Sequence, residues 1–360
     1  MSKLKIGALR LVAIFLVVYP VSAFSTPLSE GQQILHQRLA LYQQAFPGIR
    51  FIHAGGGANW QEEYARIASL LGNQPDALDY EHPVESSNDL RIVTMGRLAM
   101  MLKHNAISET LFRADTNSQL KGSLACVITI DPDDVISNPL APTAYMLGLP
   151  DSTLAKIHHD RRLDPHNFLL FAVDHEIYHC LESALISGAP MTSKTYGGEY
   201  NAYRRELSAD AFALAMHRRL PERSTTFAHN VMLVRSLWFL DGGPSHRTYP
   251  SLSAIQSIPL DELKRKSIKD LVELADKVRN ETSEGYEEFL DHQVVALQAA
   301  EQLGFAPEEF GPAWTDLAQR KADPRQVTDA ARHYLEMYER LFDDAAIDFL
   351  PVRRHTERLN

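Results

Sequence analysis

Positive charge is scarce in this 360-residue chain: 36 lysines and arginines face 46 aspartates and glutamates, leaving a net charge of −10. The longest uninterrupted basic run is Lys264-Arg265-Lys266. That is too short for the clustered cations that neutralise a phosphate backbone, so nucleic acid is excluded as a partner. Long apolar runs are missing as well. Leu11 to Val18 is too short to span a bilayer comfortably, and Pro20 follows it, which excludes a multi-span membrane protein. Glycine and proline are no more than ordinary (18 and 19), so a collagen-like fibre is excluded. With 45% apolar and 23% charged residues the chain has the material for a packed core, and a disordered tail is excluded.

Cysteine is nearly absent. Cys126 and Cys180 are the two present, so one intramolecular disulfide is the maximum. They can pair in an oxidising compartment or pack as small buried hydrophobes, and sequence leaves both open. The compartment is suggested by the first residues: Lys3, Lys5 and Arg10 precede the apolar run, and Val21-Ser22-Ala23 follows it. This pattern predicts a secretory signal peptide over 1–23, hence export to the periplasm or the cell exterior and no stable membrane span after cleavage. No cysteine lies near the cleavage site to carry a lipid.

Apolar spacing and punctuation predict helices over 28–46, 59–71, 88–113, 165–187, 198–220 and 222–240, with several amphipathic helices between 261 and 348. Strands are expected at 49–53 and at 123–130, where SLACVITI is closed by Asp131-Pro132. Gly55-Gly56-Gly57 lacks the lysine and Ser/Thr of a phosphate loop and reads as a turn. Asp131, Asp133 and Asp134 read as a solvated turn, and the proline- and glycine-punctuated 138–150 as irregular. The fold class is therefore α+β, predominantly α, with a first domain over 24–257 and a helical region over 258–360.

The chemistry concentrates in His175-Glu176-Ile177-Tyr178-His179. On a helix the two histidines lie about 40° apart, so both imidazoles leave one face and can bind a single tetrahedral zinc. Glu176 sits beside them, placed to reach a water rather than the metal. Further along, Glu206 and Asp210 are spaced i, i+4 and share a helix face. Glu206 is the right kind of ligand for a His₂Glu site, and Asp210 for an acceptor that fixes a histidine tautomer.

H-E-x-x-H followed by E-x-x-A-D resembles the gluzincin class of zinc metallopeptidases and is most similar to the HtpX and CAAX-protease-like family, which has soluble periplasmic members. The resemblance covers about His175 to Asp210. It implies a zincin-like core, Zn²⁺ held by His175, His179 and Glu206, Glu176 as catalytic base, and a peptide or protein substrate. Two features depart from that family: its multi-span membrane portion is absent, and Ser245-His246-Arg247-Thr248-Tyr249-Pro250 replaces its downstream His-Pro motif. His246 or Tyr249 is a candidate for stabilising the transition state there. Glu199, two turns before Glu206, competes as third ligand but has no acid at i+4. His158, His159 and His166 are candidates for an accessory site. The expected function is a secreted zinc-dependent endopeptidase, with the strand around 127–130 offering an edge to an extended peptide. The alternatives are a non-catalytic zinc-containing binding protein and a zinc hydrolase of a non-peptide bond.

Overall fold

The computed structural model describes residues 28–72, 90–149, 151–186, 196–220, 224–237, 244–304 and 320–342. The expected signal peptide lies outside the described residues. In chain order the elements are α1 (Glu30–Ala45), β1 (Ile49–Ala54), α2 (Trp60–Leu71), α3 (Leu90–Lys103), β2 (Ser108–Arg113) and β3 (Leu124–Thr129). Then come α4 (Pro132–Ser137), α5 (Ala141–Leu147), α6 (Asp151–Leu154), α7 (Pro165–Leu185), α8 (Tyr196–Arg218) and α9 (Thr225–Ser236). The remainder is α10 (Tyr249–Ser257), α11 (Leu260–Arg265), α12 (Ile268–Thr282), α13 (Tyr286–Gln302) and α14 (Pro324–Leu341). The chain is mostly helical around one small sheet, and no described helix is long and apolar enough to cross a membrane.

The sheet runs in the order β1-β3-β2, with β1 parallel and β2 antiparallel to β3. Period-2 alternation divides the central strand between two cores. Cys126 and Ile128 face the main core with α1 and α7, whereas Ala125 and Val127 face a smaller one with Tyr64, Ile67, Leu98 and Leu102 of α2 and α3. A strand buried on both faces reads as a continuous apolar run, which is what SLACVITI is.

Three expectations are corrected here. The predicted helix over 88–113 ends in α3, and the chain turns through Asn105, whose φ of 51° suits a short polar side chain, into β2. β3 is the central strand, so 127–130 has no edge to offer a peptide; the edges are β1 and β2, and β2 is the one packed on α7. Within 138–150 the chain forms α5: Pro142 lies in its first turn and Gly148, φ 62°, caps its end, so both mark helix limits rather than irregularity. The predicted acidic turn likewise has a specific structural role, because the Asp131 side chain accepts the N–H groups of Asp133 and Asp134 and caps α4.

α7 is the central helix. Asp164 caps it by accepting the Asn167 N–H, Pro165 opens its first turn, and it is buried nearly all round from Phe168 to Glu182. Its charged groups are therefore paired. Arg38 of α1 makes a two-nitrogen contact with Asp174, which also accepts the Tyr42 hydroxyl at 2.7 Å. Glu182 takes Arg279 of α12, Arg205 of α8 at 3.1 Å and the Ser208 hydroxyl at 3.2 Å. Each carboxylate is fully buried, so losing a cationic partner would leave an uncompensated charge. Cys126 and Cys180 form a disulfide, with Cα atoms 5.9 Å apart, that ties β3 to α7 one residue after His179.

The helices on either side of residues 257 and 258 share one hydrophobic core that extends from Leu35 to Phe342. α10 and α12 both pack on α8. α14 lies against α13 and α9 and returns the chain to Ile157, which bridges Phe342.

Candidate metal centre

The spacing of α7 does what the sequence predicts: the His175 and His179 rings leave one face with centroids 4.9 Å apart. Their Nε2 atoms approach to 3.2 Å. α8 crosses α7 and delivers Glu206, whose Oε2 lies 2.9 Å from His175 Nε2 and whose Oε1 lies 3.3 Å from His179 Nε2. A tetrahedral zinc with ligands at about 2.0–2.1 Å has donor-to-donor edges of roughly 3.3 Å, close to these separations.

The tautomers strengthen the fit. His175 Nδ1 lies 2.8 Å from Asp210 Oδ1, the geometry of an N–H donating to the carboxylate. That leaves the Nε2 lone pair directed at His179 and Glu206, so three acceptors converge in a largely buried space. Acceptors in that arrangement repel unless a cation lies between them. Burial alone would lower His175, but Glu206 and Asp210 hold it well above its ordinary value. Burial alone would raise Glu206, but the two histidines hold it well below the usual carboxylate range. The donor set therefore suits a divalent cation of borderline character. Among the described residues it is the group of histidine, cysteine and carboxylate side chains with this convergence.

Asp210 is fully buried and held from three sides. Arg235 of α9 contacts it through Nε at 2.8 Å and Nη2 at 3.1 Å, and the Thr248 hydroxyl donates to Oδ2. Burial works against the Asp210 charge, yet Arg235, His175 and Thr248 keep it far below the usual carboxylate range. Asp210→Asn keeps the volume but weakens the charge that orients His175. Zinc affinity, read by competition with a chelating dye, is expected to fall about 10–100-fold.

Glu176 projects beside the pair and remains partly accessible. Burial pushes its carboxyl up to about 7, with Glu109 and Glu206 adding and the two histidines opposing. It lines a cleft of about 250 Å³ together with Arg97, Ser108, Glu109, Arg205 and His246. Arg97 stands 3.4 Å from Glu109, so the edge strand β2 contributes a neutralised charge pair to this wall.

The other predicted site residues separate clearly. His246, in a 3-10 turn at Pro244–His246, reaches to 3.9 Å from Glu206 Oε2 and lines the cleft. Its turn is held by Thr248 on Asp210 and by Arg247, which pairs with Glu284 and lies 5.6 Å over the Tyr203 ring. Tyr249 opens α10 and points to solvent, outside the residues lining the cleft. Glu199 is not in the converging group, so Glu206 is the third donor. His166 pairs with Glu30 at 3.1 Å, and His158 precedes the short turn that holds His159; they form no second cluster among the described residues.

Sequence reasoning missed Arg235, Thr248 and Glu109. A lone cation in the apolar stretch Val231 to Leu237 was a readable sign that Arg235 has a buried partner. Nothing local singles out Thr248 or Glu109. In comparisons with protein-family models, curated proteins and solved structures, no match to this chain was found.

Proposed function

We propose that this protein is an exported, zinc-dependent peptidase of gluzincin type with a zincin-like core. The observation that carries the reading is the convergence of His175 Nε2, His179 Nε2 and Glu206 beside an open cleft lined by Glu176. Three protein donors with an open side match a catalytic zinc site, whereas structural sites are closed by four. The disulfide supports export, since such bonds persist in oxidising compartments.

Zn²⁺ bound there would supply Lewis acidity toward the scissile carbonyl and acidify the attacking water. The rest of the chemistry belongs to this chain's own residues. Asp210, clamped by Arg235 and Thr248, keeps His175 in the tautomer whose Nε2 is free to ligate. Glu176 accepts the proton of the attacking water and returns it to the leaving amine. His246 stands on the cleft wall 3.9 Å from Glu206, where its imidazole can donate to the developing oxyanion. An extended substrate lies along β2, which pairs with no further strand among the described residues and whose Ser108 and Glu109 line the cleft.

The test is zinc content followed by digestion of a broad peptide library with and without chelator. One zinc per chain and chelator-sensitive cleavage are expected. Stoichiometric zinc with no cleavage would reject the peptidase and leave a non-catalytic metal site or another hydrolase.

A further inference from the structure

Two arginines line the cleft beside Glu176, one toward each oxygen of Glu109. Arg97 of α3 stands 3.4 Å from Oε2, and Arg205 of α8 stands 3.9 Å from Oε1. A single carboxylate thus serves two guanidinium groups, at distances that hold neither of them closely. Both have donors to spare. Arg97 is 46% exposed and reaches Glu109 and the Ser108 hydroxyl, at 3.3 Å, through Nη2 alone. Among the described residues its Nε and Nη1 meet no acceptor, and the same holds for Nη1 of Arg205. Arg205 is also fixed in place. Its Nε lies 3.1 Å from Glu182, a fully buried carboxylate that Arg279 and the Ser208 hydroxyl hold from the other side.

We propose that Arg97 and Arg205 receive the terminal carboxylate of the substrate, so that the enzyme removes one or two residues from the carboxyl end of a polypeptide. The inference rests on the peptidase reading and names its substrate class, chain ends rather than chain interiors. A guanidinium presents a planar fork of N–H donors that matches a carboxylate, and the unused donors here are that fork. The span is short. A space of about 250 Å³ is roughly 6 Å across, which about two extended residues fill. His175, His179 and Glu206 line the same space, so a bond presented to them lies within that reach of the arginines. Ser108 and Glu109, which Arg97 touches, open β2, and a chain laid along that edge meets Arg97 where the strand begins. A blocked terminus would desolvate both guanidinium groups without supplying a charged acceptor. In the cleavage the C–N bond breaks and the water oxygen joins the carbonyl carbon. The amine of the released fragment takes up a proton, and that fragment leaves with its original carboxylate.

Two measurements test it. In calorimetry on the zinc-loaded Glu176→Gln protein, an N-acetylated hexapeptide with a free carboxyl end is expected to bind about ten- to hundredfold more tightly than the same peptide amidated there. Arg97→Gln, at an exposed position where folding is not at stake, should cut that ratio by about tenfold. Arg205→Lys keeps a charge beside Glu182 but loses the fork, and should narrow the ratio as well. Equal binding of acid and amide, or a ratio that survives both substitutions, overturns the assignment. So does an amidated peptide ending in Asp that binds like the free acid, because the arginines then accept a side chain. In digests by the zinc-loaded wild type, the free acid is expected to lose one or two residues from its carboxyl end, about tenfold faster than the amide. Cleavage of interior bonds without regard to the terminus overturns the carboxyl-end assignment and leaves the peptidase standing. Absent hydrolysis with a retained, Arg97-dependent preference for the free acid overturns the peptidase reading while the carboxylate site stands.

Discussion

Glu176→Gln is expected to keep a full zinc complement and to lose about 10²–10⁴-fold in kcat on any peptide the wild type cleaves. Glutamine has nearly the shape of glutamate, and position 176 is outside the converging donors, so the donor set is unchanged. What disappears is the group that accepts a proton. The surroundings of Glu176 favour that role, since it lines the cleft beside the converging donors without being one of them. Zinc analysis and single-turnover kinetics on the same preparation check both halves. Unchanged turnover would remove Glu176 as base, and lost zinc would place its carboxylate among the ligands.

Replacing both cysteines, Cys126→Ala with Cys180→Ala, is expected to cost about 4 kcal/mol of folding stability. The bridge joins residues 54 positions apart, and chain-entropy bookkeeping for a loop of that length gives this magnitude. Both residues are fully buried, so loss of the sulfur atoms from the packed interior acts in the same direction. Urea midpoints of the oxidised wild type and the double variant, compared at constant m, read the difference. Equal midpoints would show that the two sulfurs are not joined in the folded protein. Because Cys180 follows His179 directly, the same variant also asks whether the α7 donors stay in register once β3 no longer holds them.

Much of the centre was legible in the sequence because it depends on helix periodicity. His175 and His179, like Glu206 and Asp210, are set one turn apart, and one-turn spacing survives whatever the tertiary fold does around it. The start of α7 was equally local, with Pro165 in its first turn, whereas its Asp164 cap was not read from the sequence. Strand roles were not local. β2 follows the Leu- and Met-rich α3 after a short turn, and what makes it a strand is pairing with β3, a partner that composition does not name. The placement of β3 at the centre of the sheet was available from its unbroken apolar run, which a half-exposed edge strand does not need. Arg235 and Thr248 lie 25 and 38 residues beyond Asp210, and only the packing of α10 on α8 and of α9 on α10 brings them to its carboxylate. The acid at i+4 distinguishes Glu206 from Glu199, and the geometry agrees with it.

α8 holds Glu206 and Asp210 while packed against α7, α10 and α12, so substitutions along it disturb the interior on several sides. α5 is a seven-residue helix that contributes no donor, and apart from Tyr145 and Ala144 its residues from 141 to 147 are buried. Of α5, the exposed Tyr145 is the position free to change with little penalty to folding. Among descendants of this chain, change should be recorded at position 145 long before any trace of it reaches α8.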